Sequence, residues 1–142
     1  MFKVVGSFLF CRLPNGRRLA YPFPYMKLKK TLWGSMKDTL HFKGVDSITR
    51  KWCTQTTYGG KLVENIIQAI SRDIMANAMM NIQNSPENFK MILTVHDELV
   101  TEYEGDLEDP VLELETLMSD TPQWAEGFPV EAEGWIGKRY KK

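Results

Sequence analysis

The chain has 142 residues, 43% of them hydrophobic and 11% aromatic, enough for one ordinary domain with a core and too apolar for a disordered chain. Eighteen Lys and Arg against eighteen Asp and Glu leave a formal net charge of zero, so net charge by itself announces neither a nucleic-acid nor a membrane partner. Cys11 and Cys53 are too few and too far apart for a metal knuckle, and the longest apolar stretch, Val4 to Cys11, is far short of a membrane span; reduced thiols and a cytoplasmic location are the expectation.

Charge is unevenly spread. Residues 1 to 51 are rich in Lys and Arg and hold only Asp38 and Asp46 as acids, whereas 97 to 120 is mostly acidic. A basic half permits a phosphate-binding face, with a merely solvated surface as the alternative. Residues 3 to 12 read as a strand, Leu13-Pro14-Asn15-Gly16 as a turn, and Arg17 to Tyr21 as a returning extended segment, since Asn-Gly is a strong hairpin signal. Pro22 and Pro24 imply an irregular connection. From Met26 to Thr57 the pattern is weak: Leu40 to Val45 suggests a short strand, Ser47 to Cys53 a short helix or strand, and Trp33, Phe42 and Trp52 are expected to pack this segment.

A long helix is expected from about Lys61, because Val63, Ile66, Ile67, Ile70, Ile74, Ala78 and Ile82 recur at helical spacing without proline or glycine. At about 100° per residue, Lys61, Glu64, Asn65, Gln68 and Arg72 fall within one arc of roughly 100°. That stripe is either a functional surface or the wet side of an amphipathic helix. A loop over Asn81 to Asn88 follows. Next comes Ile92 to Val100, an apolar β-prone run interrupted by His96-Asp97-Glu98, which predicts a hairpin over Met91 to Tyr103 with the three ionisable residues at its tip. Adjacent carboxylates suit a hard cation such as Mg²⁺, and an ordinary solvated turn is the alternative. Asp109-Pro110 reads as an N-cap and first helical residue. Pro122 to Gly127 reads as a short turn, and Pro129 to Tyr140 as a final strand with Val130, Ala132 and Trp135 inward. The expected fold is α+β: an antiparallel sheet with one long central helix packed on it, over residues 1–142 as a single domain.

Gly59-Gly60-Lys61-Leu62-Val63-Glu64-Asn65-Ile66-Ile67-Gln68-Ala69-Ile70-Ser71-Arg72-Asp73-Ile74, followed by Val95-His96-Asp97-Glu98-Leu99, closely resembles the carboxy-terminal palm of family A DNA polymerases. Leu13 to Leu19, Trp124-Ala125-Glu126-Gly127 and Glu131-Ala132-Glu133-Gly134 look most like the phage branch. The resemblance implies that Asp97 ligates the catalytic metals, Glu98 assists near the primer terminus, and His96 lies by the primer strand. It implies Mg²⁺ as cofactor, with Asp97 and Glu98 as metal residues, and primer–template DNA and dNTP as partners, without a membrane. Gln68 matches the glutamine that touches the minor-groove side of the nascent duplex, and Lys61, Glu64, Asn65 and Arg72 share its face as possible DNA neighbours.

The family's other motifs, Asp-Tyr-Ser-x-x-Glu and the fingers helix with Arg-x-x-x-Lys before Tyr-Gly, do not occur here. Lys51 before Tyr58-Gly59 mimics the second, but Ser47 stands where its Arg belongs, and Thr54 to Thr57 does not read as that helix. Both would lie upstream of Met1. Two-metal nucleotidyl transfer draws carboxylates from two segments, so the expectation is a palm fragment that works with the missing polymerase segment, in a bacterial host cytoplasm if phage-encoded. Alone, it should bind Mg²⁺ poorly and extend no primer. The alternative is a non-catalytic DNA-binding or assembly module derived from a polymerase.

Overall fold

A glycine decides how the chain begins. Gly6 adopts φ +56°, a left-handed conformation open to glycine at no steric cost, and Val5 pairs with Phe8 across a two-residue loop. The strand expected over residues 3 to 12 is therefore two, β1 (Phe2–Val5) and β2 (Phe8–Arg12). The Asn-Gly turn forms as expected: Gly16 N–H donates to the Leu13 carbonyl at 3.0 Å, and Arg17 N–H to Asn15 Oδ1 at 3.0 Å. It delivers β3 (Arg18–Pro22), giving an antiparallel sheet of order β1-β2-β3. The computed structural model describes residues 1–30 and 34–140.

The segment with the weakest sequence pattern forms a second antiparallel sheet, β4 (Tyr25–Lys30), β5 (Met36–Val45) and β6 (Trp52–Thr57), in that order. Leu40 to Val45 forms the last six residues of the ten-residue β5. Neither a helix nor a strand spans Ser47 to Cys53: Ser47 to Thr49 is a turn, only Trp52 and Cys53 enter β6, and the polar Thr54 to Thr57 completes that strand. Phe42 packs as expected, edge-on to Tyr21 of β3 at 5.1 Å between ring centroids. Trp52 does not: it is 60% exposed, because its position in the strand alternation puts it on the outward face. Trp33 lies outside the described residues.

The long helix forms as α1 (Gly59–Asn84), beginning two residues before Lys61 and continuing through Asn81 to Asn84, the first part of the expected loop. The chain divides into two compact units within it, Met1–Ile70 and Ser71–Lys142. In the first unit, Arg17 Nη2 donates to the Ala69 carbonyl at 3.0 Å and Asn65 Nδ2 to the Tyr21 hydroxyl at 3.4 Å, fastening the helix to the first sheet. Its buried residues are Cys11, Leu13, Tyr21, Leu40, Thr57 and Ala69.

In the second unit, Ala78 and Ile82 of α1, Phe89 and Ala125 are the buried apolar residues. β7 (Phe89–Val95) and β8 (Glu98–Tyr103) form the expected hairpin. Helix α2 (Pro110–Ser119) starts as its sequence requires, with Asp109 Oδ1 accepting from Leu112 N–H at 3.0 Å. Its far end is satisfied by α1: Asn81 Nδ2 donates to the Leu117 carbonyl at 3.1 Å, and Asn77 Nδ2 to that of Asp120 at 2.9 Å, covering carbonyls a helix terminus leaves open. Gln123–Ala125 is a 3-10 turn.

The final strand does not form. Residues 129 to 140 have no ladder partner among the described residues, and Gly134 N–H donates to Glu115 Oε1 of α2 at 2.6 Å instead. Val130 and Ala132 are half-buried, whereas Trp135 is 53% exposed rather than inward. The fold is α+β with antiparallel sheets and one long helix. Among the described residues no helix is long and apolar enough to cross a membrane.

The buried set is small for the length. The chain leaves 10917 Å² accessible, whereas two separate folded bodies sharing its mass would expose only about 9,100 Å² between them. Much of the excess is apolar: Val4, Met26, Leu28 and Met36 are each more than half exposed.

Candidate functional site

The hairpin tip is built from the smallest possible loop. Val95 pairs with Glu98, which leaves His96 and Asp97 as the two loop residues and makes Glu98 the first residue of β8. Of the two, only His96 has a positive φ, +55°. That pattern belongs to a type II′ turn, whose first central position favours glycine. A β-carbon in this conformation costs on the order of 1–3 kcal/mol, and such strain persists where the surroundings hold it and tends to mark functional sites. The strain falls on the residue beside the two carboxylates.

A register shift between Met91 and Leu93 adds a β-bulge to β7. It resets the alternation so that Leu93, Val95, Glu98 and Val100 share one face. His96 and Asp97 are exposed and Glu98 is half-buried. Glu98 Oε2 accepts a hydrogen bond from the Tyr140 hydroxyl at 2.6 Å. This contact pushes the Tyr140 pKa above its ordinary value of 10.0, because ionisation would give up the hydrogen bond the hydroxyl donates to Glu98 and leave a phenolate facing that carboxylate. Nothing in the sequence could have identified Tyr140: it is forty-two residues downstream, in a segment without regular structure.

Two predictions arise here. His96→Gly should stabilise the second unit by about 0.5–2 kcal/mol, the relieved strain less the extra entropy of glycine, read as a higher urea midpoint; a lower midpoint would mean that the His96 side chain holds the turn. For Tyr140 the folded pKa is raised, so its contribution is complete below the ordinary tyrosine pKa and is lost as pH rises through the raised one. An ultraviolet tyrosinate titration should accordingly show a late-titrating group that Tyr140→Phe removes. If the variant kept the late phase, the contact would not exist in solution.

The helix stripe is less uniform than its spacing suggests. Lys61 and Glu64 are exposed and pair with each other at 2.6 Å, so the Lys61 charge is partly answered within the helix. Asn65 is half-buried and turned to Tyr21. Gln68 and Arg72, four residues apart, are exposed and remain the most available members of the stripe. Lys61, Glu64, Asn65 and Gln68 belong to the first unit, and Arg72 and the His96-Asp97-Glu98 tip to the second.

As a cation site the tip is right in kind and short in number. Asp97 and Glu98 offer hard oxygen ligands, but no group of three or more His, Cys, Asp or Glu able to hold a metal occurs among the described residues. An octahedral Mg²⁺ on two carboxylates would draw the rest of its shell from water, phosphate or another segment.

No family model matches the chain, and no solved structure matches it. The chain is 37% identical, over 141 residues and 99% of its length, to a protein named DNA polymerase from Bacillus phage SP02. It spans 21% of that protein's length.

Proposed function

We propose that the chain is the palm portion of a phage-type family A DNA polymerase, contributing the third-motif residues His96, Asp97 and Glu98 and a DNA-contacting helix face. The observation that carries this reading is the hairpin, where a strained two-residue turn holds an exposed Asp97 next to a Glu98 fixed by Tyr140. The similarity to the phage polymerase along nearly the whole chain supports it.

Each residue then has a task. Asp97 projects from the turn as a metal ligand. Glu98, restrained by the Tyr140 hydroxyl, is oriented at the start of β8 toward the primer terminus, and His96 lies against the primer strand. Gln68 meets the minor-groove side of the new duplex, with Arg72, Asn65, Lys61 and Glu64 as neighbours on the same arc. Mg²⁺ bound at Asp97 and Glu98 would supply charge stabilisation at the reacting phosphate, provided that a carboxylate from outside these 142 residues completes the site. The nucleotide-holding fingers helix comes from the same missing segment.

This proposal is tested by co-expressing the chain with a segment carrying the first-motif Asp and the fingers helix, and measuring primer extension with dNTP and Mg²⁺. Extension by the pair and none by either piece is the expected result. Failure of the pair to extend a primer would remove the catalytic reading. Template binding insensitive to Asp97→Ala but weakened by salt would then favour the non-catalytic module.

A further inference from the structure

The outward face of the β4-β5-β6 sheet carries charge that folding does not explain. Strand register puts Tyr25, Lys27 and Lys29 of β4 on the same side as Lys37 and His41 of β5, with Lys43 opposite Thr54 and Val45 opposite Trp52. The other side bears Leu40, Phe42 and Thr57 at one end, with Leu40 and Thr57 buried, and the exposed Met26, Leu28 and Met36 at the other. Four lysines therefore share one solvent-facing surface. Lys29 and Lys37 are direct cross-strand partners, a like-charge pairing that costs stability. Of the three acids in the first unit, Asp38 points to the opposite face, Asp46 in the β5–β6 turn accepts three hydrogen bonds from Ile48 and Thr49, and Glu64 pairs with Lys61.

Aromatic surface lies among these charges. Trp52 is 60% exposed at one end of the sheet, and Tyr25 is 49% exposed and stacked on His41 at 4.9 Å. Lysines two apart on a strand are about 7 Å apart along it, a periodic row suited to a polyanion. A three-stranded sheet is too broad to enter a duplex groove that admits a helix or a two-stranded ribbon. Unpaired bases, by contrast, can stack on exposed rings while their phosphates meet the lysines.

We propose that this face, through Lys27, Lys29, Lys37, Lys43, Tyr25 and Trp52, is a binding site for single-stranded DNA, distinct from the His96-Asp97-Glu98 tip. The identification of the polyanion as DNA rests on the polymerase reading; the charge complementarity does not. Such a site would hold template that has not yet been paired.

The test is a fluorescence-anisotropy titration of the whole chain with a labelled oligothymidylate at several salt concentrations. Four lysine contacts predict a slope of log affinity against log salt of about −3. Replacing all four lysines by Gln should flatten that slope and weaken low-salt binding at least tenfold, while the four Lys→Arg changes should preserve both. Trp52→Ala, at an exposed position, should weaken binding roughly fivefold or more. Unchanged affinity and slope in the Gln variant would overturn the site. So would equal binding of a duplex of the same length, or of phosphatidylserine vesicles. Primer extension by the reconstituted complex is a separate measurement, so failure of the catalytic reading leaves this result legible.

Discussion

An Asp97→Asn chain, assembled with the segment that supplies the second carboxylate, is expected to lose primer extension by about a thousandfold or more, equivalent to about 4 kcal/mol of barrier. The size follows from the chemistry: a metal ligand placed against a reacting phosphate is worth several kcal/mol of charge stabilisation, and asparagine offers the shape without the charge. The fold should not notice, because Asp97 is an exposed turn residue and asparagine is equally at home in a turn. Glu98→Gln should cost less, roughly tenfold, since Gln keeps a carbonyl oxygen able to accept the Tyr140 hydroxyl. Far-UV circular dichroism and single-nucleotide extension on one preparation separate the two effects. Extension within a few-fold of the parent for Asp97→Asn would end the assignment of Asp97 as a metal ligand.

What could be read from the sequence was local. The hairpin around His96 was legible because apolar β-prone runs flank a short ionisable stretch, α1 because its apolar period runs unbroken, and α2 because Asp109-Pro110 states its own start. The misses each involve a partner far along the chain or a choice between two tolerated states. Gly6-Ser7 can sit inside a strand or turn it back, and only the pairing of Val5 with Phe8 decides. β4 and β5 carry many lysines because one face of their sheet is outward, so hydrophobic patterning is faint. The alternation of Val130 and Ala132 resembles a strand, but Glu115 captures the Gly134 N–H and no strand lies alongside. The His96 strain was likewise hidden, since a two-residue loop with a non-glycine first residue is the less favoured choice.

Ile82→Ala should have the largest effect on stability. Ile82 is 1% exposed and is the largest side chain with full burial, one helical turn beyond Ala78 at 2%. Truncating such a residue costs about 2–5 kcal/mol, the transfer of the lost methyl groups plus the cavity they leave. A unit of about seventy residues is worth only about 4–11 kcal/mol in all, and the rest of this one's buried apolar set is Ala78, Phe89 and Ala125, so little remains to close the void. Ile82→Val should cost about 1 kcal/mol, while Met80→Ala, at a position 57% exposed, should stay within about 0.5 kcal/mol. Urea midpoints of the three variants test the ordering, and equal shifts for Ile82→Ala and Met80→Ala would show that α1 does not bury Ile82 in solution. Because the hairpin belongs to the same unit, Ile82→Ala should also lose primer extension in the reconstituted complex, through unfolding rather than chemistry. Added osmolyte, which strengthens burial, should restore extension to Ile82→Ala and leave Asp97→Asn inactive.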